Sequence, residues 1–200
     1  ILKGGAQEEE DQFLSEITAL YTVALFAMYA LIAVAFRSYW LPMLVMTAIP
    51  FGFMGAVFGH LIFNTPLALF SYFGIGAAAG VVVNDNLVLV DYIGRLRDRG
   101  SDSIAAVVEA GVNRFRPILL TTVTTIVGLN PIMAERSTNA QFLKPAVLSL
   151  SFGVLFALFV SLLLVPALYV IGQDISRGAL VARHRFWPGG DESKLKEKLA

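Results

Sequence analysis

Five stretches of the chain are each long and apolar enough to cross a bilayer, and little but a membrane-spanning helical bundle can be built from such a pattern. A spanning helix needs about 20 mostly apolar residues at 1.5 Å rise each. The segments fall at roughly 17–36, 41–63, 67–93, 117–133 and 145–171 and are called spans A to E. Composition agrees: of 200 residues 56% are hydrophobic and only 15% charged. The mean hydropathy is +0.70. That balance is too apolar for an ordinary soluble domain and fits an all-α polytopic membrane protein. The formal net charge of +0 gives no whole-chain attraction to nucleic acid, and the absence of cysteine removes disulfides and thiolate metal sites. The sequence shows no signal peptide, and Ile1 in place of a starting Met suggests a piece of a longer chain, a reading that processing would share.

The A–B connection, Arg37-Ser38-Tyr39-Trp40, and the B–C connection, Asn64-Thr65-Pro66, are so short that neighbouring helices must form antiparallel hairpins. Asn64 or Thr65 is expected to cap span C, with Pro66 in its first turn. Basic residues set the orientation. Arg37, the C–D arginines (Arg95, Arg97, Arg99, Arg114, Arg116) and the basic residues after span E all fall on one side, expected to be the cytoplasm. Lys3, Arg136, Lys144 and the acidic run Glu8–Asp11 fall on the other. The N-terminus is therefore expected outside and the C-terminus inside, with Trp40 and Tyr92 as interfacial anchors.

Between spans C and D, Ser101 or Asp102 is placed to cap a helix near 102–113 with Ile104, Val107, Val108 and Val112 on one face. It reads as a cytoplasmic helix along the membrane surface or, equally, as a spacer. Residues 1–15 read as a lead-in, 16–173 as the five-helix domain, and 174–200 as a cytoplasmic tail, polar and loosely ordered from Gly189. Pro50 leaves a carbonyl unpaired and is expected to kink span B. Gly55/Gly59 and Gly76/Gly80 are small-xxx-small pairs that let helix backbones approach closely, for tight packing or for sliding.

The residue that asks for chemistry is Asp85, inside the apolar run Gly80–Val90 and six positions before Asp91. A carboxylate at such depth costs about 2.5–3.5 kcal/mol on insertion scales, so it faces a polar pathway or a partner helix. Burial favours its neutral form unless a cation pairs with it, which suits reversible protonation. Asn84, Asp85 and Asn86 are consecutive and cover most of the helix circumference, so this turn belongs inside a bundle. Asn84 and Asp91 share a face, and Asp91, nearer the interface, reads as a packing residue. On span D, Thr121, Thr122, Thr124 and Thr125 supply hydroxyls that relay protons, bond neighbouring helices or back-bond to their own helix. Arg114 and Arg116 either anchor that helix at the interface or feed charge toward Asp85.

His60 reads as packing, and the scattered methionines as gap fillers. An intramembrane aspartyl protease needs a second buried acid, which spans A, B, D and E do not offer. There is no phosphate loop, zinc motif or nucleophile elbow. No enzymatic chemistry and no bound cofactor or metal are expected.

Several stretches together carry a resemblance: Phe36-Arg37-Ser38-Tyr39, Ala48-Ile49-Pro50-Phe51-Gly52, Gly80 to Asp91, Arg114 to Thr122, and Leu164-Val165-Pro166-Ala167-Leu168-Tyr169. The chain resembles the resistance–nodulation–cell division efflux permeases over nearly its whole length. That resemblance implies a protein of two similar halves, each with one span, a large periplasmic insertion and five further spans. This chain looks like spans eight to twelve, with Ile1–Gly5 ending the porter region. It implies a proton/substrate antiporter of the bacterial inner membrane, exporting drugs, other amphiphiles or metal ions, with protons as coupling ion. The implied partners are the N-terminal half of the same transporter, a homotrimer, a periplasmic adaptor, an outer-membrane channel and the bilayer, with no nucleic acid. By motif position Arg114 and Thr121 match the family's basic and hydroxyl members on span eleven, beside Asp85 and Asn84, with Asn86, Thr122, Thr125 and Asp91 as further candidates. Drug exporters of the family often carry a lysine at the Asn84 position, so a lysine–aspartate switch does not fit this sequence. A non-transporting or protein-export accessory module sharing the bundle is the other class consistent with it.

Overall fold

The computed structural model describes the backbone of residues 2–186, with side-chain environments for 5 and 8–175. Six helices follow one another: α1 (Leu2–Phe36), α2 (Trp40–Met46), α3 (Ile49–Ile62), α4 (Leu69–Asp98), α5 (Ser103–Ala134) and α6 (Thr138–Phe186). No strand occurs among the described residues. Five segments are long and apolar enough to span a membrane, with α2 and α3 together making the second. The chain is an all-α, five-span helical bundle.

Three hairpin turns share one device. Ser38 N–H reaches the Ala33 carbonyl at 3.3 Å, Thr65 N–H the His60 carbonyl at 3.0 Å, and Ser101 N–H the Leu96 carbonyl at 3.2 Å. Each bond spans five residues and closes a helix end of the Schellman type, which needs a left-handed residue just past the helix. Arg37 (φ 50°), Asn64 (φ 48°) and Gly100 (φ 90°) occupy those positions. Because Asn64 ends α3 in this way, neither it nor Thr65 caps α4, as the sequence had suggested. Ala68 is the N-cap, the Ser71 hydroxyl accepts from its N–H at 3.0 Å, and Pro66 lies in the connection.

Pro50 breaks span B as its chemistry predicts. It has no N–H for the Met46 carbonyl; α2 stops at Met46, and a new helix starts at Ile49. Pro117 and Pro131 stay inside α5, and Pro145 and Pro166 inside α6. The separate surface helix expected near 102–113 is thus the first part of one continuous helix. Its start is capped by Asp102, which accepts from Ile104 N–H at 3.3 Å. Similarly, α1 begins at Leu2, not after residue 15, and α6 continues past 173 to Phe186. Both extensions are polar or amphipathic sequence, which hydropathy does not report as helix. The polar tail from Gly189 lies outside the described residues.

α6 is the axis of the bundle, and glycines let it lie close to α3 and α4. A Cβ on Gly55 would stand 2.5 Å from the Phe152 carbonyl oxygen, and one on Gly59 2.6 Å from the Phe152 ring. A Cβ on Gly153 would stand 2.9 Å from that of Ala78, and one on Gly74 would overlap the Ala146 carbonyl. In a membrane, where lipid tails are as apolar as leucine, such backbone approach and van der Waals contact hold helices together. Gly76 receives the Tyr21 ring of α1, whereas Gly80 faces open space; the two do not pack as a pair. α1 lies at the margin, with Leu20, Phe26, Leu31 and Val34 all more than two-thirds exposed, as suits a lipid-facing helix.

Polar clamps fix both ends. At one, buried His60 pairs with Ser149 Oγ through Nε2 at 2.9 Å and with the Thr65 carbonyl through Nδ1 at 3.0 Å. At the other, Ser103 Oγ donates to Gln173 Oε1 at 2.7 Å, and Arg97 donates to both, joining α4, α5 and α6.

Candidate proton-coupling site

The turn Asn84-Asp85-Asn86 is divided by the register of α4. Val82, Asn86, Leu89, Ile93 and Leu96 are buried at three- and four-residue steps, so Asn86 sits in the packed stripe of the helix. Phe70, Phe73, Ala77, Gly80 and Asn84 are exposed at the same spacing, so Asn84 lies on an open stripe. Asp85 falls between the two and is half-buried.

Asn86 is wholly buried, and its Nδ2 donates to the Val45 carbonyl at 3.3 Å. Val45 lies in the last turn of α2, and its carbonyl takes no backbone N–H across the Thr47–Ala48 break. One buried amide thus satisfies a carbonyl exposed by the break, beside Asp85. The Asn86 Oδ1 finds no protein partner.

Among the described residues Asp85 makes no hydrogen bond and no ion pair. Asp91 differs: its carboxylate pairs with Arg95 one turn on at 2.8 Å, in the open. Arg114 lies over the Tyr92 ring, 5.1 Å from its centroid, and Asn113 Nδ2 donates to the Tyr92 hydroxyl at 3.1 Å. That cation–π contact and hydrogen bond dock α5 against α4 seven residues, roughly 10 Å of rise, from Asp85.

The threonines of α5 also divide. Thr121 Oγ1 donates to the Pro117 carbonyl at 3.0 Å, and Thr125 Oγ1 to the Thr121 carbonyl at 2.8 Å. Thr124 back-bonds to Leu120 at 2.8 Å. Thr122 is fully buried, and its hydroxyl has no protein partner. In this arrangement Arg114 and Thr121 make no bond to Asp85. Of the candidate residues, those held in the packed interior are instead Asn86 and Thr122, and Asn86 announces itself in the sequence as a lone amide in the Val82–Leu89–Ile93 core spacing. The Arg97–Ser103–Gln173 clamp has no local signal, because its members come from three helices.

No group of three or more metal-ligating side chains occurs among the described residues. The α4 turn offers one carboxyl and two amides at the edge between packed core and open face.

Residues 2–173 match the profile of the AcrB/AcrD/AcrF family. Among curated relatives, the multidrug resistance protein MdtC of Proteus mirabilis is 26% identical over 182 residues, covering 90% of this chain and 18% of that protein. The cobalt-zinc-cadmium resistance protein CzcA of Cupriavidus metallidurans is 28% identical over 166 residues, covering 83% of this chain and 16% of that protein. Among solved structures, a heavy metal efflux pump (crystal form II) superposes with a TM-score of 0.73 at 23% identity, over 82% of this chain and 16% of that one, a likeness of fold. The chain thus spans less than a fifth of these relatives, at 18% and 16% of their lengths.

Proposed function

Because the chain belongs to the AcrB/AcrD/AcrF family, we propose that it forms spans eight to twelve of a resistance–nodulation–cell division permease that exports its substrate against an inward flow of protons. The observation that carries this reading is Asp85, a half-buried carboxyl in a membrane span with no partner among the described residues, at the edge of the open α4 stripe. The other half of the transporter packs on that stripe, and Asn84, directly on it, meets the acids and bases of that half. Asp85 takes up a proton from the outer side and releases it to the cytoplasm.

Each change of charge at Asp85 alters which packing of the two halves is favoured, and the bundle rocks between them. The Thr47–Ala48 break, held by Asn86, is the natural hinge beside the carboxyl. Arg114 and Thr121 come into play when α5 shifts along α4, which frees the Thr121 hydroxyl from its own helix. The protein lies in the bacterial inner membrane with its N-terminus outside and its C-terminus inside. It works as a homotrimer with a periplasmic adaptor and an outer-membrane channel, and it moves substrate without covalent chemistry. Of the two relatives, one is named for multidrug and one for metal resistance, so the substrate class is drugs, other amphiphiles or metal ions.

The test is efflux from proteoliposomes containing the intact transporter, with and without a protonophore. Loss of uphill transport when the proton gradient collapses supports the reading. Uphill transport that persists without a gradient contradicts it.

A further inference from the structure

His60 is a buried titratable side chain that transport at Asp85 leaves unused. It lies at the end of the bundle away from Arg37 and Arg97 and is only 4% exposed. Its two ring nitrogens have different partners: Nδ1 meets the Thr65 carbonyl at 3.0 Å, and Nε2 meets the Ser149 hydroxyl at 2.9 Å. A carbonyl only accepts, so Nδ1 carries the proton of the neutral ring. Nε2 is then a bare acceptor, and the hydroxyl of Ser149, itself fully buried, donates to it. The turn after α3 holds the ring in this tautomer, since Thr65 N–H returns a bond to the His60 carbonyl at 3.0 Å.

A proton has a route to that ring. A cavity of about 390 Å³ is bordered by His60, Asn64, Thr65 and Leu67, and Asn64 and Leu67 are exposed, so it meets the surface. Uptake at Nε2 reverses the contact with Ser149: Nε2–H donates, Oγ accepts, and the hydroxyl proton turns to a carbonyl of its own helix. Both partners accept, so the imidazolium fits without a change of rotamer. Its charge, however, finds no counter-ion. Among the described residues no carboxylate pairs with His60. α2, α3 and residues 63–68 contain no charged residue. On α6 the nearest is Lys144, five positions before Ser149 and of like sign. On α4, Gly74 packs on Ser149; Tyr72 beside it offers a hydroxyl, and the first carboxyl is Asp85, eleven positions or roughly 16 Å of rise further on. Past the end of α5, Glu135 and Arg136 are exposed, and the Glu135 carboxylate accepts from N–H groups of its own turn.

We propose that His60 is a second protonation site, whose imidazolium draws water through this cavity and loosens the clamp between α3 and α6. A buried charge without a counter-ion is relieved by hydration, and the cavity beside Asn64 admits it. The seam that opens is one of close contact: Gly59 lies under the Phe152 ring, and Phe63 meets that ring edge-on with centroids 5.7 Å apart. Imidazoles change charge between about pH 5 and 8, so mild acid is enough to drive the change. In the orientation proposed above this end faces outward, the side from which protons arrive. The site shares no residue with the Asp85 turn and does not depend on coupling there.

The test uses the intact transporter in lipid nanodiscs, with isotope-labelled histidine, taken from about pH 8 to about pH 5. The His60 ring signals are identified by their absence in His60→Gln, which keeps a donor for the Thr65 carbonyl and an acceptor for Ser149 but takes up no proton. Magnetic resonance is expected to show Nε2 passing from bare to protonated over this range. Amide hydrogen exchange, corrected for its intrinsic pH dependence, reads the seam. Protection of residues 57–67 is expected to fall several-fold in acid in the wild type and in Asp85→Asn, and to stay level in His60→Gln. Protection of residues 95–103, at the Arg97 clamp, is expected to stay level throughout. A bare Nε2 at every pH, an equal fall in His60→Gln, or an equal fall at residues 95–103 would each overturn the proposal. Level protection in the wild type overturns it whether or not His60→Gln folds. Loss of the response in Asp85→Asn overturns its independence from the coupling site.

Discussion

Asn86 of α4 and Val45 of α2 are joined by a hydrogen bond of 3.3 Å across 41 positions of sequence, both residues wholly buried. The bond caps a carbonyl at the break in span B and fixes that break next to Asp85. Replacing Asn86 with leucine keeps the branching and heavy-atom count of the side chain but removes the donor. A buried carbonyl left unsatisfied costs about 1–3 kcal/mol. Thermal unfolding of the purified transporter should show Asn86→Leu clearly destabilised and Asn84→Leu, on the open stripe, much less so. Equal stability of Asn86→Leu and wild type would mean the bond does not hold the break.

Gly55 should tolerate no side chain. Even alanine places its Cβ 2.5 Å from the Phe152 carbonyl oxygen, a backbone atom that cannot swing aside. Separation of α3 from α6 follows, and overpacking of this kind costs about 1–3 kcal/mol. Gly94→Ala, with nothing within 4 Å, is the matched control. Thermal midpoints in detergent should fall for Gly55→Ala and hold for Gly94→Ala.

His60 and Ser149 should be energetically coupled. Their 2.9 Å contact is buried and lies 89 positions apart in sequence. A double-mutant cycle with His60→Phe and Ser149→Ala is expected to give a coupling of about 0.6 kcal/mol, up to about 1.7, the range found for side-chain hydrogen bonds in membranes. Additive effects would show that His60 acts through the Thr65 carbonyl alone.

The spans were legible because a run of about 20 apolar residues has few other fates. Their ends were not. The first turns of α1 and the last of α6 are helical without being apolar. Proline read differently in different places: Pro50 ends a helix, while Pro117, Pro131, Pro145 and Pro166 are carried within one. At Pro117 the carbonyl left without its helical donor is that of Asn113, four residues back, and the Thr121 hydroxyl bond to Pro117's own carbonyl at 3.0 Å is an ordinary back-bond that does not replace it. Asp85 stands out in the sequence by its charge alone. The partition of its neighbours, Asn84 open and Asn86 buried, followed from register once Val82, Leu89 and Ile93 marked the core. The Val45 partner was not legible, because a hairpin, not sequence proximity, brings it there.

Thr121 is expected to matter for rate and not for folding. Its hydroxyl is exposed and back-bonded, so Thr121→Ala loses little stability. Transport by the intact protein should slow while the thermal midpoint stays near wild type. A wild-type rate would leave the hydroxyl with only its helix-local role.

In the proposed mechanism Asp85 carries the coupling proton. The direct measurement is proton-gradient-driven efflux in proteoliposomes of the intact transporter, wild type against Asp85→Asn. The amide keeps the shape and cannot ionise. Loss of uphill transport with normal insertion and thermal stability is expected. Efflux at the wild-type rate would contradict it, leaving Asp85 a packing residue and placing the coupling chemistry elsewhere in the transporter.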